Sequence, residues 1–341
     1  MRDPLTVIVP LYNGASFIGA TLDSLAAQTV KLHEVIVVDD GSTDDGAEIA
    51  RTHEVAPRVI QQTNAGVAVA RNRGALAAAS RYIAFLDQDD LWLPQRHERI
   101  VAYLNDNAGC LALATTERSF YFARDHQALE AMSEGLHSVA DHPNLVDPHG
   151  LADLYARLHG AEPANGVPRV TRTVDTRALL DGTIAVTCSY VFERELFLVN
   201  GGCVVFARSI DDYFALLNIS RMTNIPILDE PSVLYRIHPS STAVATDPTE
   251  WSMPLLTALA AARFGGNIVS AGHARDPRRV GPLSLFWRNW LLALARSDGP
   301  GLLDSIALTQ LLASSRTEQL RVTLQLLKTA VRAKLRRLIV R

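Results

Sequence analysis

Three carboxylates fall within four positions at Asp87, Asp89 and Asp90, directly behind the apolar run from Tyr82 to Leu86. A buried strand that ends in clustered acids must deliver them to solvent or to a cation, because unpaired buried charge is very costly. Two carboxylates one residue apart suit a hard divalent ion, which takes few protein ligands and several from a bound phosphate. An isolated D-x-D is more often a solvated acidic turn. This one closes a run of alternating strand and helix patterns that begins at Thr6, and open α/β sheets bind ligands at such strand ends. The segment therefore reads as a metal–diphosphate site.

The elements that must position these acids follow from the hydrophobic pattern. Leu5 to Leu11 is a β-branched strand with Pro10 near its end, followed by the turn Tyr12-Asn13-Gly14. Phe17, Ile18, Leu22 and Leu25 recur at helical spacing to about Gln28. Val35 to Val38 is a second strand ending in Asp39-Asp40, and Gly41 to Asp45 opens a helix reaching about His53. In that setting Asp40 reads as a helix-capping acid. Val59–Gln61, an Ala-rich helix from Val67 to Ala79, a strand from Tyr82 to Leu86 and a helix started by Pro94 complete the run. Short strands alternating with helices imply parallel pairing and right-handed crossovers. Their carboxyl ends then share one sheet edge, which gathers Tyr12, Asp39, Asp40, Asp87 and Asp89, with Arg71 close behind.

Composition bounds the rest. The 341 residues are 48% hydrophobic and 20% charged with net charge −3, which argues against a dedicated nucleic-acid binder. Cys110, Cys188 and Cys203 are too few and scattered for a disulfide framework or a cysteine zinc site, and fit a reducing compartment. The N-terminus enters a strand almost at once, so no leader is expected, and no apolar run reaches the length of a membrane span. Asn218-Ile219-Ser220 matches a glycosylation acceptor only by chance. No G-x-G-x-x-G follows the first strand, and neither a G-x-x-x-x-G-K-[ST] loop nor a G-x-S-x-G elbow occurs. Hydride transfer, loop-cradled nucleotide hydrolysis and serine hydrolysis lose ground.

The blocks VIVPLYNGASFIGATLDSL, VIVVDDGSTDDG, NAGVAVARNRGALAA and YIAFLDQDDLW together resemble the N-terminal half of glycosyltransferase family 2, inverting enzymes with a GT-A fold. The resemblance implies an α/β architecture, a Rossmann-like, mostly parallel sheet flanked by helices. It implies that Pro10, Tyr12 and Asp39 hold the base of a nucleotide sugar, that Arg71 lies over the nucleotide, and that Asp87 and Asp89 meet ribose and metal. Chemistry agrees for Asp39: a carboxylate accepts the ring N–H that uracil, thymine and guanine carry.

The second half is similar to the same family where Asn200-Gly201-Gly202 precedes the pair Asp211-Asp212. Asp211 reads as an acid complementing a helix start; Asp212 matches the family's catalytic base. The family usually has Glu at the position of Asp211, and an aromatic residue with an acid where Cys203-Val204 stand. Leu234 to Ser241 resembles the closing motif, in which His238 joins the metal or diphosphate.

The implied organisation is a catalytic domain over residues 1–246, with a nucleotide-sugar half (1–110), a variable loop-rich insert (118–173) and an acceptor half (174–246). The insert carries His126, His137, His142, His149 and His159 as surface histidines, and one short amphipathic helix around Leu151 to Leu158. A C-terminal helical extension follows over 247–341. Its stripe Leu320, Leu324, Leu327, Val331, Leu335 and Leu338 runs beside Arg321, Lys328, Arg332 and Arg336. That pattern fits either an anionic membrane surface or a second subunit.

The expected activity is transfer from a UDP-sugar to a saccharide or lipid-linked acceptor, with Mn2+ or Mg2+, in surface-polysaccharide, cell-wall or glycolipid synthesis in the cytoplasm at the membrane's inner face. Two alternatives stand beside it: a sugar nucleotidyltransferase, which would carry a glycine-rich basic loop after strand one, and a non-catalytic sugar-nucleotide-binding subunit.

Overall fold

The computed structural model describes residues 5–122, 145–146, 167–180, 186–203 and 211–241, together with the helical positions Leu320, Arg321, Leu324 and Leu327. The chain divides into two compact units, one of Met1–Thr176, Ile184–Val205 and Asp211–Ala245, the other of Arg177–Thr183, Phe206–Ile210 and Thr246–Arg341. The candidate site lies in the first.

Its opening segment alternates as the hydrophobic pattern predicts: β1 (Leu5–Leu11), α1 (Ile18–Ala26), β2 (Glu34–Asp39), α2 (Gly46–Thr52), β3 (Arg58–Gln61), α3 (Val67–Ala77) and β4 (Tyr82–Phe85). These four strands pair in parallel, Val7 with Val35 and Ala84, Ile36 with Arg58. Every β1 side chain is buried, as expected for a strand covered on both faces. Ile18, Leu22 and Leu25 of α1 supply the stripe that closes one face, joining a core with Val7, Val9, Val37, Ala84 and Trp92. On α3, Gly74 lets the helix approach β1 closely; a Cβ there would collide with Ile8.

The rest of the described sheet is more mixed. β5 (Leu91–Trp92), α4 (Arg96–Asp106), β6 (Ala112–Phe122), β7 (Leu145–Val146) and β8 (Val170–Val174) lead to α5 (Thr176–Leu180), a 3-10 turn at Thr187–Ser189, β9 (Tyr190–Glu193), α6 (Arg194–Val199), α7 (Asp211–Ile219) and β10 (Ile225–Arg236). The strand order is β3-β2-β1-β4-β9-β6-β10-β5, with β7 on β6 and β8 on β10. β9 runs antiparallel to β4 and β6, while β10 is parallel to β6. Three differences from the sequence reading appear. Pro94 lies just outside α4 and not in its first turn, the N-cap being Gln95. β6 extends to Phe122 and β8 starts at Val170, so both reach into the span assigned to the insert. β7 also falls within that span, while the insert's histidines and its short helix lie outside the described residues, as does most of 247–341.

The orientation of β9 matters for the site. An antiparallel strand beside β4 begins where β4 ends, so the turn Thr187–Ser189 arrives at the acidic edge. A buried arginine pins that turn: Arg96 donates to the carbonyls of Cys188 and Ser189 and to the hydroxyls of Thr115 and Ser232, its guanidinium 4.6 Å from the Trp92 ring centroid.

Candidate active site

The acidic segment after β4 separates into distinct roles. Asp89 Oδ2 lies 2.8 Å from His238 Nε2, and His238 Nδ1 lies 2.8 Å from Ser240 Oγ. The His238 ring packs 4.6 Å from Phe17, between centroids. These two residues, 149 positions apart, meet because β10 runs parallel to β6 and ends at the same edge. Asp87 turns to Arg71, whose Nη2 donates to Asp87 Oδ1 at 2.6 Å. Asp90 is buried, accepting from Arg236 N and from the Cys188 thiol at 2.9 Å. Burial and the negative charge of Asp89 and Asp87 push the Asp90 carboxyl well above the usual range. Burial pushes up the Cys188 thiol and the Tyr235 phenol, and the nearby carboxylates add to it.

Asp87, Asp90 and Cys188 also present ligand atoms within 4.8 Å of one another. A thiol held protonated and donating to a carboxylate is a poor metal ligand, because metals bind the thiolate. In that group the Cys188 thiol donates to Asp90 and accepts from the Asp87 backbone N–H.

The second pair of acids divides its work. Asp211 opens α7, as a helix-start acid should, but its principal partner is Arg71, which donates from Nη1 to both carboxylate oxygens at 3.1 and 2.9 Å. Asp211 is 1% exposed and Arg71 5%. Asp212, next along the helix, is half-buried and accepts from the Thr187 hydroxyl at 2.6 Å. Burial and the charge of Asp211 raise its pKa to about 6, against the pull of Arg71 and Thr187.

Around the β1 and β2 ends, Tyr12 is 48% exposed, and its backbone is clamped on both sides by the Gln88 amide. Pro10 is buried in β1 beside it. Asp39 accepts from Ser42 N at 2.9 Å and Gln61 Nε2 at 3.0 Å. Burial pushes its carboxyl up, but those hydrogen bonds outweigh it and hold the pKa below the usual value. Asp40 does not cap the helix after β2. It accepts from Gln62 and from the backbone of Ala65 and Gly66, and so fixes the entry to α3, where Gly66 adopts φ 93°.

Residues 6–157 match the family model described as Glycosyl transferase family 2. Over those residues the chain is similar to glycosyltransferase family 2. The uncharacterized glycosyltransferase YibD of Escherichia coli K12 is 43% identical over 100 residues, 28% of this chain and 29% of that one. GlyA of Streptococcus pneumoniae is 39% identical over 35% of this chain and 18% of its own length. The chain therefore spans less than a third of either of these relatives. A glycosyltransferase of Haemophilus influenzae, also uncharacterized, is 26% identical over 72% of both chains. S. aureus TarS 1–349 in complex with UDP-GlcNAc superposes with TM-score 0.59 at 16% identity, covering 96% of this chain and 92% of that one. The mannosyltransferase PcManGT of Pyrobaculum calidifontis, in complex with GDP-Man and Mn2+, gives TM-score 0.51 at 22% identity, covering 98% and 87%. The fold is GT-A, a mixed sheet with flanking helices.

The structure brings Asp89 and His238 together, while Asp87 groups with Asp90 and Cys188 and pairs with Arg71. It gathers Pro10, Tyr12 and Asp39 at the ends of β1 and β2. Arg71 directs both Nη groups to carboxylates, those of the buried Asp211 and the partly exposed Asp87. Sequence reasoning noted Asp90 as the third acid of its run but gave it no role, and it gave none to Thr187, Cys188 or Gln88. Thr187 and Cys188 carried no signal, since only the reversed direction of β9 brings them to the edge.

Proposed function

We propose that the protein is an inverting, metal-dependent glycosyltransferase that moves a sugar from a UDP-sugar to an acceptor hydroxyl, with Asp212 as the general base. The observation that carries this reading is Asp212 itself: a half-buried carboxylate with a pKa of about 6, fixed by a hydroxyl on the same sheet edge as the Asp89–His238 pair. A base poised near neutral pH is ionised in use, yet basic enough to take a proton as an oxygen attacks. The acceptor oxygen attacks the anomeric carbon as its proton passes to Asp212, and the bond to the diphosphate breaks in the same displacement. No covalent enzyme intermediate is needed.

Asp89, His238 and Asp87 would hold the divalent ion, an oxygen-and-imidazole set suited to Mn2+ or Mg2+. Such an ion, when bound, offsets charge developing on the leaving diphosphate. Exposed Tyr12 offers its ring to the base, Pro10 shapes the pocket beneath it, and Asp39, kept ionised, accepts the ring N–H. Arg71 serves the nucleotide indirectly by orienting Asp87. That TarS was crystallised with UDP-GlcNAc and PcManGT with GDP-Man and Mn2+ supports a nucleotide-sugar donor and a divalent ion. A saccharide or lipid-linked acceptor of surface polysaccharide, wall or glycolipid synthesis, met at the inner face of the membrane, completes the reading, with residues 1–246 as the catalytic domain.

The test is a donor panel of UDP-GlcNAc, UDP-glucose, UDP-galactose and GDP-mannose, reading the nucleotide released. The wild type is expected to release UDP and to fall silent, reversibly, in chelator. Asp212→Asn should bind UDP as before and lose turnover by roughly 10²–10⁴-fold. Turnover within a few-fold of wild type would remove Asp212 from the role.

A further inference from the structure

Thr187 is the one hydroxyl recorded on the carboxylate of Asp212 among the described residues, at 2.6 Å from Oδ2. The turn that carries it is held independently of Asp212. Arg96 grips the carbonyls of Cys188 and Ser189, Ser189 N donates to Val186 O at 2.9 Å, and the Cys188 thiol donates to Asp90. The Thr187 hydroxyl is therefore presented from a turn that hydrogen bonds hold in place. A carboxylate has about four lone-pair positions, so one bond from Thr187 leaves room for an acceptor hydroxyl while fixing the plane of the group. The charged and titratable groups facing Asp212 are Asp211 beside it, Arg71 from α3 and the Cys203 thiol. Burial and Asp211 favour the protonated form; Arg71 and the Thr187 bond favour the ionised form.

We infer that Thr187 is a positioning residue for the general base, its hydroxyl holding the Asp212 carboxylate in the orientation that receives the acceptor proton. It rests on Asp212 being that base. Thr187 itself exchanges no proton: the acceptor's proton ends on Asp212, the acceptor oxygen's electron pair forms the new glycosidic bond, and the diphosphate leaves with the old one. Nothing in the family motifs marks Thr187, and its role comes only from the geometry.

The experiment compares the wild-type chain with Thr187→Val, which keeps the shape and loses the donor, and Thr187→Ser, which keeps the donor. Aspartate carboxyls are labelled with carbon-13 and titrated by NMR, the Asp212 resonance being assigned by its absence in Asp212→Asn. The Val variant should titrate higher than wild type by about one pH unit, the worth of a charge-assisted hydrogen bond, and Ser should restore the wild-type value. UDP affinity, measured by calorimetry, should be unchanged in both. If the Val variant does not fold, Thr187→Ala serves the same comparison. An Asp212 titration that is the same in Val, Ala and wild type, or a Ser variant no closer to wild type than Val, overturns the inference. Failure of the underlying reading looks different: Asp212→Asn would then still release UDP from the donor panel, whatever the titration of the Thr187 variants.

Discussion

At the residue scale, the raised pKa of Asp212 carries a stability cost that pH exposes. Its folded pKa of about 6 lies above the value of about 3.9 expected of an unfolded Asp. Between those two values the native state binds more protons than the unfolded chain, so stability falls as pH rises through this window. The contribution is fully present in acid and lost above about pH 6. Asp212→Asn removes the titrating group and so should melt higher than wild type at pH 7.5, with the gap narrowing toward pH 4. Thermal melts at a series of pH values check this; a gap that widens in acid would reverse the sign of the argument. Asp212 was named from the sequence by its match to the catalytic-base position of the resembling family, since acids at a helix start are by themselves no more than caps. The sequence could not show the Thr187 hydroxyl that modulates it, which lies 25 positions away and across a strand reversal.

At the element scale, the first half of the sheet was legible because each of its strands is a short apolar run followed by a helix, which leaves parallel pairing as the natural arrangement. The second half was not. β9 reverses direction, β6 continues through polar sequence to Phe122, and β10 spans Ile225–Arg236 with register shifts at Pro231. Arg71 shows the consequence. Its position on α3 was readable, but its partner Asp211, 140 residues on, depends on where α7 begins. Removing one member of a buried ion group leaves the others uncompensated and costs roughly 3–5 kcal/mol. Arg71→Ala should destabilise the protein by about that much in urea titration. Lysine should not fully rescue it, since a single ammonium cannot reach two carboxylates in a fork. A loss under about 1 kcal/mol would mean that Asp87 and Asp211 find other partners or solvent. On the other side of the same contact, Gly202 at φ 61° packs against Asn72, whose amide exchanges hydrogen bonds with the backbone of Cys203. The residues that replace the usual aromatic and acid after the glycines thus begin from an anchored turn.

At the scale of the molecule, no described helix is long and apolar enough to cross a membrane. Leu320, Leu324 and Leu327 are helical and 68%, 51% and 40% exposed, on one face at i, i+4 and i+7. The sequence beyond them holds Lys328, Arg332, Lys334, Arg336, Arg337 and Arg341 with no acid from Lys328 on. Each basic residue near an anionic surface contributes on the order of 1 kcal/mol, screened by salt. The protein should sediment with phosphatidylserine-containing vesicles at low salt and release at high salt. Truncation after Ser315 should abolish this while sparing UDP binding. Indifference of the full chain to vesicles, with loss of a dimer on truncation, would assign the stripe to a second subunit.

The Arg71 clamp also limits how such a chain can be recombined. One guanidinium closes the first ninety residues onto the segment that begins at Asp211, so the two are not interchangeable cassettes. A chimera that grafts a new second half must bring an acid at position 211, or Arg71 is left with surplus charge against Asp87. The junction to respect is then the contact between α3 and the start of α7, although no boundary in the linear sequence marks it.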